Sequence, residues 1–388
     1  MVNVEIISRI FAPEPSAASF RLGALRRGLA RRGAAVRVFT AALPGADDAD
    51  PSVSRVRVIR DENGYVRGYL PYLSFDVQAF WHILTGASPD VFVVEPPPTT
   101  GFFTRIAATI RRRPYVWYAA DIWSDAAAAT GAPAPIVAVL RRVESFVISG
   151  AAGVIAVSDD VARRVRELGG RGVEVAFNGV NTDIFNTDVP PLTRAELASA
   201  GVDEPFFVYA GNASEWHGAE IFARGFEQFW QDRPGHQLVF LGRVAVPEIV
   251  NIAKRMAARN SGGRAPIVIL DNLAPDIAAR WQRTARAALA SVKPGAGYDF
   301  AYATKVLSAL ACGTPVIYSG VGLAREDIKA HHLGLAVDYT AEAVAQAFAS
   351  ELAFDPHELS DWVKDNRSIE GTGALASAAV LAALDGRQ

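Results

Sequence analysis

The chain has 388 residues, half of them hydrophobic, which allows two domains of roughly 100 to 200 residues each. Charged residues make up 21% and the formal net charge is −2, so there is no global electrostatic case for binding nucleic acid. Cys312 is the single cysteine, which excludes an internal disulfide and any cysteine metal cluster. A reducing, cytoplasmic setting is expected. No apolar run reaches the ~18 residues of a membrane span, and the opening Met1-Val2-Asn3-Val4-Glu5-Ile6-Ile7-Ser8 lacks the basic and apolar regions of a signal peptide. A soluble protein is expected, or one peripheral at the inner face of the membrane.

In chain order, short runs rich in Val, Ile and Phe alternate with Ala/Leu/Arg-rich helical stretches, as in strands followed by crossover helices. The fold class is therefore α/β with parallel sheets. Strands are predicted at residues 4–7, 36–39, 91–94, 115–118 and 154–157, then at 206–209, 238–241, 267–270, 288–292 and 316–318. Residues 186–204, with Pro190-Pro191 and one short helix, read as a linker between domains at 1–185 and 205–355. Residues 41–51 and Ser261-Gly262-Gly263 read as surface loops.

Ligands of doubly wound sheets collect outside the carboxyl ends of the strands, so residues just after each predicted strand have the strongest claim to function. After 4–7 come Glu14 and Ser16, then a helix with Ala18, Leu22, Leu25 and Leu29 on one face. Arg21, Arg26, Arg27, Arg31 and Arg32 cover the rest, a solvated face by the ordinary rule or a surface that could meet anionic lipid. After 91–94 comes Glu95 with Pro96-Pro97-Pro98. After 115–118 comes Asp121-Ile122-Trp123, where a carboxylate could orient a hydroxyl or accept its proton, although Asp is also a common helix cap. Ser158-Asp159-Asp160 reads as an ordinary capped helix start, and Val173-Glu174-Val175-Ala176-Phe177-Asn178-Gly179-Val180-Asn181 as a strand ending in an Asn178-Gly179 turn.

In the second half, Gly211 and Gly218 bracket a loop with Asn212 and His217, where tight turns would let backbone approach a diphosphate. Thr304-Lys305 opens a helix with Val306, Leu307, Leu310 and Ala311 at helical spacing, stopped by Gly313 and Pro315. Such a helix start favours an anion. There is no G-x-G-x-x-G after the first strand, no Walker motif, no H-E-x-x-H and no histidine spacing suited to a metal, so no metal or cofactor is predicted.

Taken together these places resemble the retaining glycosyltransferases of family 4, which have the GT-B fold of two facing Rossmann-like domains. The resemblance is carried by Ala156-Val157-Ser158, by Asn178-Gly179-Val180-Asn181 with Phe185, by the loop from Gly211 to Gly218, and by Ala311-Cys312-Gly313-Thr314-Pro315-Val316. Asp121-Ile122-Trp123 is similar to an element of the subgroup that builds bacterial surface polysaccharides. The departures are specific. The family's Arg and Lys in the glycine-bracketed loop are replaced by Asn212 and His217, and its paired glutamates would fall at Phe300 and Ser308. Ala303-Thr304-Lys305 is similar to a Pro-x-Lys segment of some subgroups, without the Pro.

The resemblance implies a sugar moved from a nucleoside-diphosphate donor to an acceptor hydroxyl with retention. Gly211, Asn212, His217, Gly218, Thr304, Lys305 and Ser308 would hold the donor. Asp121 and Lys305 would be catalytic, and Glu14, Ser16 and Glu95 would lie on the acceptor side. The acceptor would be a glycan, lipid-linked or small molecule, and residues 356–388 would return to the first domain. Two other readings stay open: a non-catalytic partner that binds a sugar nucleotide or glycan, and a nucleotide-sugar epimerase.

Overall fold

The computed structural model describes residues 1–14, 16–45, 50–61, 66, 68–203, 205–260, 263–295 and 302–385. They form two compact units, Met1–Gly179 with Ile369–Gln388, and Val180–Ser368. The first unit holds strands β1 (Asn3–Ile7), β2 (Ala35–Ala41), β3 (Val53–Val56), β4 (Val91–Val94), β5 (Tyr115–Ala119), β6 (Gly153–Ala156) and β7 (Val173–Val175). Its helices are α1 (Ala17–Arg31), α2 (Tyr69–Thr85), α3 (Pro98–Ile110), α4 (Trp123–Ala129), α5 (Ala134–Gly150) and α6 (Asp159–Glu167).

The second unit starts with α7 (Arg194–Ser199), β8 (Phe206–Ala210), α8 (Glu220–Asp232), β9 (Gln237–Leu241), α9 (Pro247–Arg259), β10 (Ile267–Leu270) and α10 (Pro275–Thr284). It continues with β11 (Ala287–Val292), α11 (Lys305–Ala311), β12 (Val316–Gly320), α12 (Leu323–Ala330), β13 (Gly334–Val337), α13 (Ala341–Ala349) and α14 (Pro356–Arg367). The last helix, α15 (Ile369–Asp385), belongs to the first unit.

The sheets run β3-β2-β1-β4-β5-β6-β7 and β10-β9-β8-β11-β12-β13, with every pairing parallel. Strand order reverses between β1 and β4 in one unit and between β8 and β11 in the other, which creates a crevice outside the strand ends at each point. Both faces of each sheet are buried, so the central strands are continuous apolar runs. In β1, Val4 and Ile6 join Leu22, Leu25 and Leu29 of α1, while Ile7 packs on the other face with Phe75 and Val94. In β8, Phe206 and Val208 face Trp281, and Phe207 and Tyr209 face Phe222 and Phe226.

The ten predicted strands are present within one or two residues of the predicted ends, and β7 follows α6 as expected. The edge strands β3 and β13 escape the sequence reading, because Val-Ser-Arg-Val is half polar and Gly-Leu-Ala-Val is short. The first unit ends at Gly179 rather than 185, and 186–204 is not a free linker: Leu192, Leu197 and Val202 sit in the core of the second unit. Helix α14 also stays there, packing against α11, so only α15 goes back to the first unit. It lies against α1, where Gly28 and Gly373 bring backbones together; a Cβ on Gly28 would come 2.3 Å from the Gly373 carbonyl oxygen.

Most of the α1 arginines are spent inside the unit. Arg21 is buried against Glu95, Arg26 pairs with Asp50 at 2.7 Å, Arg27 with Glu370 at 3.6 Å, and Arg32 donates to Ser377 at 3.1 Å. Of the predicted loops, Ala46 to Ala49, Ser261 and Gly262 lie outside the described residues. Among the described residues no helix is long and apolar enough to cross a membrane.

Candidate functional site

In the second unit the switch point between β8 and β11 gathers the predicted donor residues. Gly211 follows β8 with φ +113°, a conformation L side chains rarely adopt, and turns the chain across the strand end. Asn212 is exposed beside it. Lys305, the first residue of α11, reaches back to this turn: its ammonium donates to the Tyr209 hydroxyl and, at 3.5 Å, to the Asn212 carbonyl, and sits 3.9 Å from the centroid of the Tyr209 ring. A Cβ on Gly211 would come 3.7 Å from Lys305 Cε. Burial pushes the Lys305 amine down to about 7, because charge is costly to dehydrate without a paired anion.

His217 is fixed from two sides. Its ring stacks on Trp216 with centroids 3.6 Å apart, and the Ser214 backbone N–H donates to Nδ1 at 3.3 Å. Nδ1 is therefore an acceptor, and the neutral ring carries its proton on Nε2. Desolvation first, then the charge of Lys305, pushes its pKa down to about 3, so at neutral pH His217 is an uncharged donor. Gly218, at φ +65°, packs under Tyr339, whose hydroxyl donates to the Gly218 carbonyl at 2.9 Å and to Glu220 Oε1 at 3.1 Å.

The helix start itself is modest. Thr304 is exposed and caps nothing, and α11 has only seven residues. The N–H groups of Val306 and Leu307 already bond to the carbonyls of Ala303 and Thr304. Ser308 turns its hydroxyl onto the Lys305 carbonyl at 3.0 Å, within its own helix. Phe300, the other position of the missing glutamate pair, lies outside the described residues.

Two cations escaped the sequence reading. Lys293 directly follows β11; its backbone N–H donates to the Trp216 carbonyl at 3.0 Å, and its ammonium lies 3.6 Å from Glu220, a buried carboxylate whose Oε2 has no partner. Arg243 is exposed just past β9, and its carbonyl accepts from the Ala213 N–H at 2.9 Å. Both would have surfaced had the strand-end rule been applied to β9 and β11 as it was to β8.

The first unit has its own strand-end site. Register sets Ile7 beside Val94, so the next residues, Ser8 and Glu95, meet. The Ser8 hydroxyl donates to Glu95 at 2.9 Å, Arg21 donates to the other carboxylate oxygen at 2.8 Å, and Arg21 also reaches Asn178 at 3.3 Å. Arg9 lies 4.0 Å from the centroid of the Tyr72 ring and donates to the Val66 carbonyl at 3.0 Å. Ser8, Arg9, Arg21, Glu95, Asp121 and Trp123 line a polar cavity of about 140 Å³. Asp121 is exposed at its edge, near Arg21 and Glu95.

Trp123 is held by Glu144, which accepts from the N–H of Trp123 at 2.8 Å and from the N–H and hydroxyl of Ser124 at 3.1 and 2.7 Å. Glu95 and Asp121 are thus brought together, whereas Glu14 and Ser16 are not part of the cavity wall. Glu14 pairs with Arg60 at 3.4 Å, and Ser16 caps α1 by accepting from the Ser19 N–H at 3.1 Å. Among the described residues no group of three or more His, Cys, Asp or Glu side chains is placed to hold a metal ion.

Residues 17–180 match the family described as Glycosyl transferase 4-like domain, and 204–353 match Glycosyl transferases group 1. No curated protein sequence matches the chain significantly. Sucrose-phosphate synthase from Thermosynechococcus elongatus superposes with TM-score 0.70 at 20% identity, over 100% of this chain and 98% of that one. Anabaena HepE in complex with UDP-glucose gives TM-score 0.69 at 16% identity, over 98% and 100%. The α,α-trehalose 6-phosphate synthase of Burkholderia multivorans gives 0.64 at 11%, over 100% and 96%. At these identities the superpositions speak for the fold alone.

Proposed function

Because the chain belongs to the GT-B glycosyltransferases, moving a sugar from a nucleotide donor, we propose that its second unit binds the donor diphosphate at the β8–β11 switch point and its first unit binds the acceptor in the polar cavity. The observation that carries this reading is the convergence of Gly211, Asn212 and the Lys305 amine at one strand end. A strand-end turn with a cation over it is a place for a diphosphate. HepE was solved with UDP-glucose, which makes that compound the first probe.

In the reaction the bond between the anomeric carbon and the diphosphate oxygen breaks as the acceptor oxygen bonds to that carbon. The protein's contribution is electrostatic, since negative charge grows on the departing diphosphate. Lys305 supplies a cation that is half-charged near neutral pH and becomes fully charged beside the dianion. His217 donates through Nε2, and Lys293 and Arg243 add charge beside the same loop. Lys293 and Arg243 lie beside the loop in which Asn212 and His217 replace the family's Arg and Lys. Asp121 orients the acceptor hydroxyl, whose proton leaves with the diphosphate oxygen. Retention at the anomeric carbon, which rests on the family resemblance, and a role in bacterial glycan or glycoconjugate synthesis, supported by the Asp121-Ile122-Trp123 element, belong to this proposal.

Thermal shift with UDP, GDP, ADP and TDP and their sugars tests it. A selective upward shift that Lys305→Met abolishes is expected. No shift with any nucleotide would sink the donor-site assignment and favour a protein that binds glycan without transferring it.

A further inference from the structure

Next to the smaller cavity of the first unit, whose wall carries the charged groups, lies a second and larger one of about 440 Å³ with a mostly apolar wall. Tyr69, Tyr72, Leu73, Pro98, Phe103 and Leu140 form an apolar wall, contributed by α2, α3 and α5. Its volume falls in the range of small-molecule sites. The rim is costly as it stands: Tyr69 is 85% and Leu73 47% exposed, both apolar surfaces left to water.

The two cavities are continuous in their walls. Trp123 lines both, and Arg9, in the polar wall, stacks on Tyr72, in the apolar one. Near this junction Asp76 is fully buried, and Thr100 donates to its Oδ1 at 2.6 Å. The polar cavity is close to neutral, with the guanidiniums of Arg9 and Arg21 set against the carboxylates of Glu95 and Asp121. Alternating donors and acceptors without net charge suit hydroxyl groups and do not suit a phosphate.

We infer that the acceptor is a neutral hydroxylated head, such as a sugar, bearing an apolar aglycone that fills the cavity between α2, α3 and α5, with Trp123 at the joint. This rests on the transferase reading of the first unit. The aglycone would be an alkyl or isoprenoid chain joined to the head without an intervening phosphate. Such a chain covers the apolar rim that the folded unit leaves open.

The test is calorimetric titration of the full chain with methyl, butyl, hexyl and octyl β-glucosides below micelle-forming concentrations, with UDP-glucose titrated in parallel. Affinity should tighten roughly three- to fourfold per methylene until the cavity is full. Leu73→Asp and Tyr69→Asp, both at exposed positions of the rim, should flatten that gradient without lowering the melting temperature. Equal affinity for methyl and octyl glucoside would overturn the inference, as would a gradient that neither variant changes. Tighter binding of farnesyl phosphate than of octyl glucoside would overturn the neutral head. If UDP-glucose binds while the glucoside series is flat, the aglycone site falls and the donor site stands. A graded series with no UDP-glucose binding has the reverse meaning.

Discussion

Lys305 makes donor binding depend on pH in a way that can be calculated. Its amine titrates near 7 in the unliganded protein because burial strips it of water without supplying a counter-ion. The groups around it do not titrate in the same range: His217 has been pushed down to about 3, and burial moves the Tyr209 hydroxyl up. A bound diphosphate would favour the ammonium, so binding at alkaline pH must draw in a proton. Above pH 7 the charged fraction falls about tenfold per pH unit, and UDP-glucose affinity should fall with it until the pKa of the bound state is reached. Calorimetry in buffers of different ionisation enthalpy should register uptake of up to about one proton per donor bound near pH 8.5.

Lys305→Arg, charged throughout, should abolish the slope, and Lys305→Met should lose about 1.5–3 kcal/mol of donor affinity at pH 7. The same group shapes stability. Its folded pKa lies below its unfolded value, so the unfolded chain binds more protons and stability should rise with pH from about 7 to 9 by up to about 1.4 kcal/mol per unit; above that the Cys312 thiol, which burial pushes up to about 12, opposes the rise. Donor affinity that is flat from pH 7 to 9, with no proton uptake, would refute the placement of a diphosphate at Lys305.

Other outcomes follow from single contacts. Gly211→Ala forces a side chain into φ +113° and should cost about 1–2 kcal/mol, read as weaker UDP-glucose binding together with a lower melting temperature. Glu144→Ala strands two backbone donors and a hydroxyl at the start of α4; a loss of about 2–4 kcal/mol in urea unfolding is expected, with weaker octyl glucoside binding because Trp123 loses its anchor. Gly28→Ala drives a methyl into the Gly373 carbonyl and should destabilise the α1–α15 packing by about 1–3 kcal/mol while leaving UDP-glucose affinity unchanged.

Much of this architecture is legible in the chain because the central strands are buried on both faces. Val91 to Val94 and Phe206 to Tyr209 are unbroken apolar runs that cannot be mistaken for loops. Edge strands lack that signal, which is why β3 and β13 stayed hidden. Helix caps were readable where one side chain does the work: Ser158 accepts from the Val161 N–H at 3.2 Å, as its place before Asp159 suggested. The domain boundary was misplaced because Leu192, Leu197 and Val202 look like isolated apolar residues in a proline-rich stretch and become core only when β8 and α10 fold against them.

The site divides along the same line. Lys305 and Gly211 could be named from local pattern, but their contact spans 94 residues of sequence and follows from strand order alone. Arg21 shows the opposite failure. It reads as one more surface arginine on α1, and only the register of β1 with β4 turns it inward onto Glu95. Pairings of this kind have no periodic signature, so sequence patterns alone do not disclose them.

The central claim is sugar transfer from a nucleotide donor, and the most direct measurement is product analysis by mass spectrometry and proton NMR after incubation with UDP-glucose, or whichever sugar nucleotide binds, and octyl glucoside. The account predicts release of the nucleoside diphosphate with formation of a new glycoside whose anomeric configuration matches the donor, and loss of both in Lys305→Met. A donor that binds in a Lys305-dependent manner yet is recovered intact, with no glycoside formed from any hydroxylated acceptor, would contradict it.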